Sequence, residues 1–145
     1  MTMMLNETLR LYPPATLMIR KTYKELKLGR FMIPKGAALS FPILAVHHNE
    51  KFWGPDANMF KPERFAEGAS KAAVHPNAFF PFSLGPRACV GQNFAMLEAK
   101  SVIAMILQRL SFSVSPAYKH APIAVLTLQP QHGMQIIFKS IEVET

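Results

Sequence analysis

Cysteine and aspartate are scarce in this sequence, and each shortage excludes a class of protein. The single cysteine, Cys89, rules out an internal disulfide, so the chain is not a disulfide-stabilised secreted scaffold. A lone cysteine fits a reducing compartment, either as a ligand or nucleophile or as a small buried apolar side chain. Asp56 is the only aspartate and no Gly-x-Ser-x-Gly segment occurs, which argues against a serine hydrolase.

Long apolar runs and glycine-rich phosphate loops are also missing. No run approaches the length of a bilayer-spanning helix, so this chain is expected to have no membrane anchor of its own. We expect no secretory signal, because Asn6, Glu7 and Arg10 stand where an apolar segment would be needed. His47 and His48 are adjacent, and neighbouring side chains cannot easily face one metal ion.

The composition is that of an ordinary globular protein. Of 145 residues, 50% are apolar and 17% are charged, which predicts one domain over residues 1–145 and no second domain. The net charge of +7 suits an acidic protein, anionic lipid or nucleic acid as partner, or reflects solubility alone. Without a Lys/Arg-rich block or a recognition motif, no nucleic-acid partner is expected.

Two helices are predicted in an α+β fold that is mainly α. The first runs from Thr2 to Tyr12 and is stopped by Pro13 and Pro14. The second begins at residue 91 or 92 and runs to Leu110, and we expect it to be mostly buried. Its apolar stripe at helical spacing consists of Ala95, Ala99, Val102, Ile103, Ile106 and Leu110.

Short strands and turns are predicted elsewhere. A proline-rich, mostly irregular stretch covers residues 49–86, after a single helical turn at 43–48. A small β-sheet is expected before that stretch and a terminal β-hairpin after the long helix, with its turn at 130–133. The predicted strands cover residues 17–21, 24–28, 31–33, 37–41, 124–128 and 135–138.

The run 82–91, FSLGPRACVG, stands immediately before the long helix and carries the chemistry. The positive end of the helix dipole favours the thiolate of Cys89. Gly85 and Gly91 let the backbone turn sharply and approach a flat ligand. Arg87 is suited to pair with a ligand carboxylate, and Phe82 to pack against an aromatic ring system.

At every fixed position this run resembles the Phe-x-x-Gly-x-Arg-x-Cys-x-Gly signature of the cytochrome P450 family. The resemblance implies that Cys89 is the axial ligand of haem iron, with Phe82, Gly85, Arg87 and Gly91 around the cofactor, haem b (iron protoporphyrin IX). It covers essentially the whole chain but only the C-terminal part of the family's fold: short helix, small sheet, meander, cysteine loop, long helix and terminal hairpin.

Two further segments resemble family motifs in the same order. The segment 7–10, ETLR, places a carboxylate and a guanidinium on one helix face, and 62–65, PERF, lies in the proline-rich stretch. By resemblance Glu7, Arg10 and Arg64 form a structural triad, in which one carboxylate bridges two bidentate donors. Such a triad would pin the irregular stretch so that the cysteine loop sits beneath the haem.

Four more positions are assigned by alignment to these motifs. Arg20 matches a haem-propionate ligand, although a strand-edge surface cation remains an alternative. Ala15, Leu17 and Leu126 match substrate-contacting positions, or are plain core residues.

The resemblance implies an O₂-dependent monooxygenase that receives electrons from an NADPH–cytochrome P450 reductase. It is similar to plant microsomal members, which act on terpenoid or hormone-like small lipophilic substrates, through the segments 120–122 and 126–131. The full-length relatives are expected at the endoplasmic reticulum membrane, on its cytosolic face. Two alternatives stay open: a non-catalytic fragment, because the distal oxygen-activating helix has no counterpart here, and a basic interaction module.

Overall fold

The computed structural model describes residues 1–141 and contains two helices of more than two turns. Helix α1 (Thr2–Leu11) confirms the first predicted helix and ends before the buried Pro13. Its buried face is unusual because it carries charge: Glu7 and Arg10 are both fully buried, next to Leu11. Helix α4 (Gln92–Leu107) confirms the second. No helix among residues 1–141 is both long and apolar enough to cross a bilayer.

Four short antiparallel strand pairs make up the β structure of residues 1–141. Strand β1 (Met18–Lys21) pairs with β4 (Ala38–Phe41), and β2 (Leu26–Leu28) with β3 (Phe31–Ile33). These four strands confirm the predicted positions, but they form two separate ladders instead of one sheet.

The C-terminal strands differ from the sequence prediction in their pairing. Residues 110–114 form strand β5 (Leu110–Val114), which pairs with β8 (Ile136–Ser140). The predicted strand 124–128 is instead mostly a turn between β6 (Pro122–Ala124) and β7 (Leu128–Pro130). The alternating run LSFSV at 110–114 favours a strand over a helix end, so α4 stops at Leu107 and not at Leu110.

The proline-rich stretch 49–86 is ordered without long elements. It follows the short helix α2 (Ile43–His47) and contains α3 (Glu50–Trp53). The chain then makes four 3-10 turns, at Pro62–Phe65, Ala69–Lys71, Pro76–Ala78 and Gly85–Arg87. This confirms the predicted meander.

A small apolar core lies inside the meander. Its buried members are Trp53, Ala57, Phe65 and Ala78, and Phe79 packs against them from the segment that leads to Cys89. The ring centroids of Phe65 and Phe79 are 4.8 Å apart at a steep angle, which suits aromatic packing. The core therefore connects the meander directly to the cysteine loop.

Helix α4 departs from the expected burial. The side chains of its predicted apolar stripe are at most half-buried. No residue of α4 is fully buried by the described part of the chain. A second apolar face, made of Phe94, Leu97 and Met105, is exposed, and so is Val102 at the edge of the predicted stripe. The whole chain exposes 10750 Å², whereas a compact monomer of its 16.2 kDa would expose about 7,500 Å². Apolar periodicity shows which side chains favour burial, but not whether the covering surface belongs to the same segment.

Candidate functional site

The cysteine loop is closed by its own backbone. The Cys89 N–H donates to the carbonyl of Phe82 at 2.8 Å, and the Ala88 N–H donates to the carbonyl of Gly85 at 3.0 Å. The loop joins the 3-10 turn Gly85–Arg87 to the start of α4. These bonds leave the Cys89 side chain exposed at the N-terminal end of that helix.

The two glycines of the loop have different roles. Gly85 has φ +72°, a left-handed conformation in which a side chain is strained. Gly91 has an ordinary backbone conformation, but a Cβ added there would lie 3.8 Å from Cys89 Sγ. Gly85 therefore makes the turn, and Gly91 keeps one side of the sulfur free of side-chain atoms.

A cavity of about 510 Å³ opens beside the sulfur, in the size range of small-molecule sites. It lies between the cysteine loop, β1 and the segment that follows α1. Most of its wall is apolar. Six of the predicted site residues line it together: Cys89, Arg87, Phe82, Arg20, Ala15 and Leu17.

The residues of this cavity fit the group that the resemblance implies. Haem offers a flat apolar ring, an iron atom that accepts a thiolate, and two carboxylates. The cavity offers apolar walls, one thiol and the two guanidinium groups of Arg20 and Arg87. Among the described residues there is no competing cluster of three His, Cys, Asp or Glu side chains that could hold a metal ion.

Ser83 orients Arg20, a role that was not predicted from the sequence. The Arg20 Nη2 donates to Ser83 Oγ at 2.9 Å, and Nη1 donates to the carbonyl of Ile19 at 3.2 Å. Ser83 itself has φ +66°, which is rare for a residue with a side chain. Arg20 is thus tied to the cysteine loop, a link that neither residue type signals in the sequence.

Leu126 is the one predicted substrate-contacting residue outside the cavity. It lies in the turn between β6 and β7 and is 94% exposed. The Leu128 N–H donates to the carbonyl of Pro14 at 2.8 Å, which holds this hairpin beside the segment that carries Ala15. The hairpin therefore contacts the segment at the rim of the site, while Leu126 is exposed and does not line the cavity.

Glu7 and Arg10 form a fully buried bidentate ion pair. Arg10 Nε donates to Glu7 Oε2 at 2.7 Å, and Nη2 donates to Oε1 at 2.8 Å. The remaining N–H groups of Arg10 reach the carbonyls of three distant residues, at 2.8, 2.6 and 3.2 Å: His47, Ala57 and Met59. The Lys61 N–H also donates to Glu7 Oε1, at 2.8 Å. The pair thereby fixes α2 and the meander to α1.

Arg64 joins this pair differently from the predicted doubly bidentate arrangement. Its Nε lies 3.4 Å from Glu7 Oε1 and, among the described residues, finds no hydrogen-bond acceptor. Its other nitrogens donate to the carbonyls of Trp53 and Asp56, and Nη2 lies 2.7 Å from Asp56 Oδ1. The hydrogen bonds from Arg64 and then Lys61 lower the pKa of Asp56 to about 2. Arg64 therefore shares its charge between two carboxylates.

His47 is a second residue whose structural role was not predicted from the sequence. It is fully buried, and its ring stacks on Phe79 with centroids 5.5 Å apart. Its Nδ1 lies 3.2 Å from the carbonyl oxygen of Arg10, and its Nε2 accepts from the Phe80 N–H at 3.1 Å. Burial lowers the pKa of His47 to about 4, and the neighbouring Arg10 charge adds to this, so the imidazole is neutral near pH 7.

The fold is expected to lose stability between pH 6.5 and pH 4 because of His47. The unfolded chain takes up this proton below the ordinary pKa of 6.5, whereas the folded chain does so only near 4. At ~1.4 kcal/mol per pKa unit the loss is on the order of 3 kcal/mol. Chemical denaturation across this range measures it, and His47→Gln should flatten the profile. Equal slopes in both proteins would contradict the assignment. Asp56 contributes little in this range, because the stability that comes from its lowered pKa is lost mainly between its ordinary pKa of 3.8 and about 2.

Comparisons with known proteins agree on one family. The family model described as "Cytochrome P450" matches residues 1–138. "Cytochrome P450 CYP72A616" of Paris polyphylla is 55% identical over 136 residues, which are 94% of this chain and 26% of that protein. "11-oxo-beta-amyrin 30-oxidase" of Glycyrrhiza uralensis is 54% identical, over 97% of this chain and 27% of its own length. "Cytokinin hydroxylase" of Arabidopsis thaliana is 49% identical, over 95% and 26%.

A solved structure gives the same result for the fold. The structure described as "Retinoic acid bound cyanobacterial CYP120A1" matches 97% of this chain with a TM-score of 0.85 and 29% identity. That match confirms the predicted fold class. The chain spans 32% of that structure and about a quarter of the length of the plant relatives.

Proposed function

The chain belongs to the cytochrome P450 family, and we propose that it forms the haem-binding, cysteine-bearing part of a haem-thiolate monooxygenase. The observation that carries the proposal is the shared cavity of Cys89, Arg20 and Arg87, in which one thiol and two guanidinium groups face mostly apolar walls. A thiol, two arginines and a mostly apolar wall in one cavity match the three features of haem, which are its iron, its two carboxylates and its apolar ring.

Each residue of the cavity then has a chemical task. Cys89 would hold the iron through its thiolate, presented by the loop that its own N–H closes on Phe82. Arg20 and Arg87 would pair with the two propionates of haem b, and Ser83 would keep Arg20 in place. Bound haem supplies the iron at which O₂ is reduced for insertion of one oxygen atom into a substrate. Ala15 and Leu17 would present apolar surface to that substrate.

The names of the relatives support a proposal for the class of substrate. Proteins about half identical to this chain are named as an oxidase of a β-amyrin derivative and as a cytokinin hydroxylase. We therefore propose a small lipophilic substrate, terpenoid or hormone-like. Electrons would come from an NADPH–cytochrome P450 reductase, and the net charge of +7 suits an acidic docking face. In the full-length context this chemistry would take place at the cytosolic face of the endoplasmic reticulum.

A second candidate is a non-catalytic fragment. It is favoured by the exposed apolar face of α4 and by the 10750 Å² of exposed surface, because a chain with so much unpaired surface buries too little for a stable site. The two candidates differ in whether haem is taken up in thiolate-ligated form.

The spectrum of the reduced, CO-treated protein with haem tests the proposal. We expect the strongly red-shifted Soret band of a thiolate complex, and Cys89→Ser should abolish that shift even where haem stays bound. The control is Val90→Ser, which adds a hydroxyl at a fully exposed neighbour outside the cavity. A red shift that survives Cys89→Ser would refute the assignment of Cys89. No haem uptake, with a poorly ordered fold, would favour the fragment.

A further inference from the structure

His47 stands between the buried ion pair and the segment that leads to Cys89. It belongs to α2, and its ring is enclosed by three aromatic side chains, with centroid distances of 5.5 Å to Phe79, 5.4 Å to Phe80 and 6.3 Å to Trp53. The ring is fully buried, so water cannot replace the hydrogen bonds it makes. Each nitrogen of this imidazole must therefore be satisfied by the protein.

The bonding partners determine which ring nitrogen carries the proton. The Phe80 N–H can only donate, so Nε2, at 3.1 Å, must be the unprotonated acceptor. Nδ1 then carries the proton and donates to the carbonyl of Arg10 at 3.2 Å. The backbone carbonyl of His47 in turn accepts from Arg10 Nη1 at 2.8 Å. Side chain and backbone of His47 thus both hold Arg10.

Two further backbone hydrogen bonds, joined by the peptide bond between Phe82 and Ser83, connect Phe80 to the cysteine. The carbonyl of Phe80 accepts from the Ser83 N–H at 3.0 Å, and Ser83 Oγ accepts from Arg20. The carbonyl of Phe82 accepts from the Cys89 N–H at 2.8 Å. Fixing Phe80 therefore fixes the start of the loop whose other end bears the sulfur.

We propose that neutral His47 is a positioning residue for Cys89, transmitting the rigidity of the buried Glu7–Arg10 pair through the Phe80 N–H to the cysteine loop. This inference rests on the proposed function, in which Cys89 binds haem iron. His47 touches neither the cavity nor the sulfur. Its contribution is the direction in which the loop presents the thiolate.

The charges around His47 make its protonation a way to release the loop. Arg10 faces it from α1, with Glu7 paired to the far side of that guanidinium, His48 follows it in α2, and Arg64 donates to the carbonyl of Trp53 on the meander side. The segment 79–80 contributes only aromatic rings and backbone. A second proton on the imidazole would sit on Nε2, so that the Nε2–H and the Phe80 N–H, both donors, would face each other. It would also place a second positive charge beside Arg10. The thiolate complex should therefore be lost in acid together with the hydrogen bond to Phe80.

Two substitutions separate the two nitrogens of the ring. His47→Asn keeps a donor near the Arg10 carbonyl but leaves the Phe80 N–H without an acceptor. His47→Gln places an amide oxygen near the position of Nε2. The matched control is His48→Asn, because His48 is the adjacent histidine and its ring bonds Asn58 and the carbonyl of Leu11, outside the segment that leads to Cys89. The readout is the fraction of the reduced, CO-bound, haem-loaded protein that shows the red-shifted Soret band, followed against pH.

Specific results are expected from these variants. His47→Asn should lower the red-shifted fraction several-fold near neutral pH, His47→Gln should restore part of it, and His48→Asn should leave it unchanged. In the unsubstituted protein, the nitrogen NMR signals of His47 should show a proton on Nδ1. A proton on Nε2, or an equal loss in His47→Asn and His48→Asn, would overturn the proposal. The NMR readout needs no haem, so it fails independently of the haem assignment, which Cys89→Ser tests.

Discussion

Replacing Glu7 by glutamine is expected to lower the free energy of unfolding by about 3–5 kcal/mol. The carboxylate is fully buried and accepts from Arg10 Nε, Arg10 Nη2 and the Lys61 N–H. A glutamine NH₂ group must face one of these donors in either orientation. The change also leaves the fully buried Arg10 guanidinium without the charge that balances it, while Arg64 keeps its ion pair with Asp56. Denaturant unfolding at neutral pH measures the loss.

Glu67→Gln is the matched control for this substitution. Glu67 also pairs with a cation, Lys71, at 3.2 Å, but both side chains are largely exposed, at 75% and 69%. Exposed pairs contribute little to stability, so this variant should unfold close to the unsubstituted protein. Similar losses in the two variants would show that the burial of Glu7 does not decide the energetics of the pair.

Trp53→Ala is expected to cost about 3–5 kcal/mol, the usual penalty for removing a large aromatic side chain from a core. Trp53 is 4% exposed and is the centre of the small core around Phe65 and Phe79. Its indole N–H donates to the carbonyl of Val46 at 3.1 Å, and the Arg10 guanidinium lies 4.9 Å from its ring centroid. The substitution therefore opens a cavity and also removes a contact to the buried cation.

Tyr23→Ala provides the comparison for Trp53→Ala. Tyr23 is the same class of side chain but is 79% exposed, so its removal should shift the denaturation midpoint little. Trp53→Phe should fall in between, because it keeps most of the ring and loses the bond to Val46. A Trp53→Ala protein as stable as Tyr23→Ala would mean that this cluster is not the stabilising core of the meander.

Local spacing indicates those parts of the candidate site that a few neighbouring residues determine. The fixed residues of 82–91 and the three-residue separation of Glu7 and Arg10 are properties of a turn and of one helix face. The structure places Cys89, Arg87, Phe82 and Arg20 on one cavity, and Glu7 and Arg10 in one ion pair. The positions of prolines and glycines along the chain likewise predicted the meander and the turns that bound β1 to β4.

Long-range partners were beyond the sequence analysis. The strand pair β5–β8 joins segments more than twenty residues apart. The predicted terminal hairpin instead used the turn at 130–133, because closing a shorter loop costs less conformational entropy. Ser83 and His47 were missed for a related reason: a left-handed serine and a buried neutral histidine carry no signal in their residue types. Adjacency to His48 was read only as evidence against a metal site, although one of the two side chains lies in the core.

The bonds of Arg10 to the carbonyls of His47, Ala57 and Met59 also govern the order in which the chain folds. These acceptors lie 37, 47 and 49 residues further along the chain, so the guanidinium stays unsatisfied until all three have arrived. Helix α1 is too short to be stable alone, so we expect it to be only marginally formed until these three carbonyls are in place. Closing such separations costs entropy before any contact repays it. Because Ala57 and Met59 lie in the meander, Arg10 cannot complete its hydrogen bonds during synthesis until residue 59 has been added.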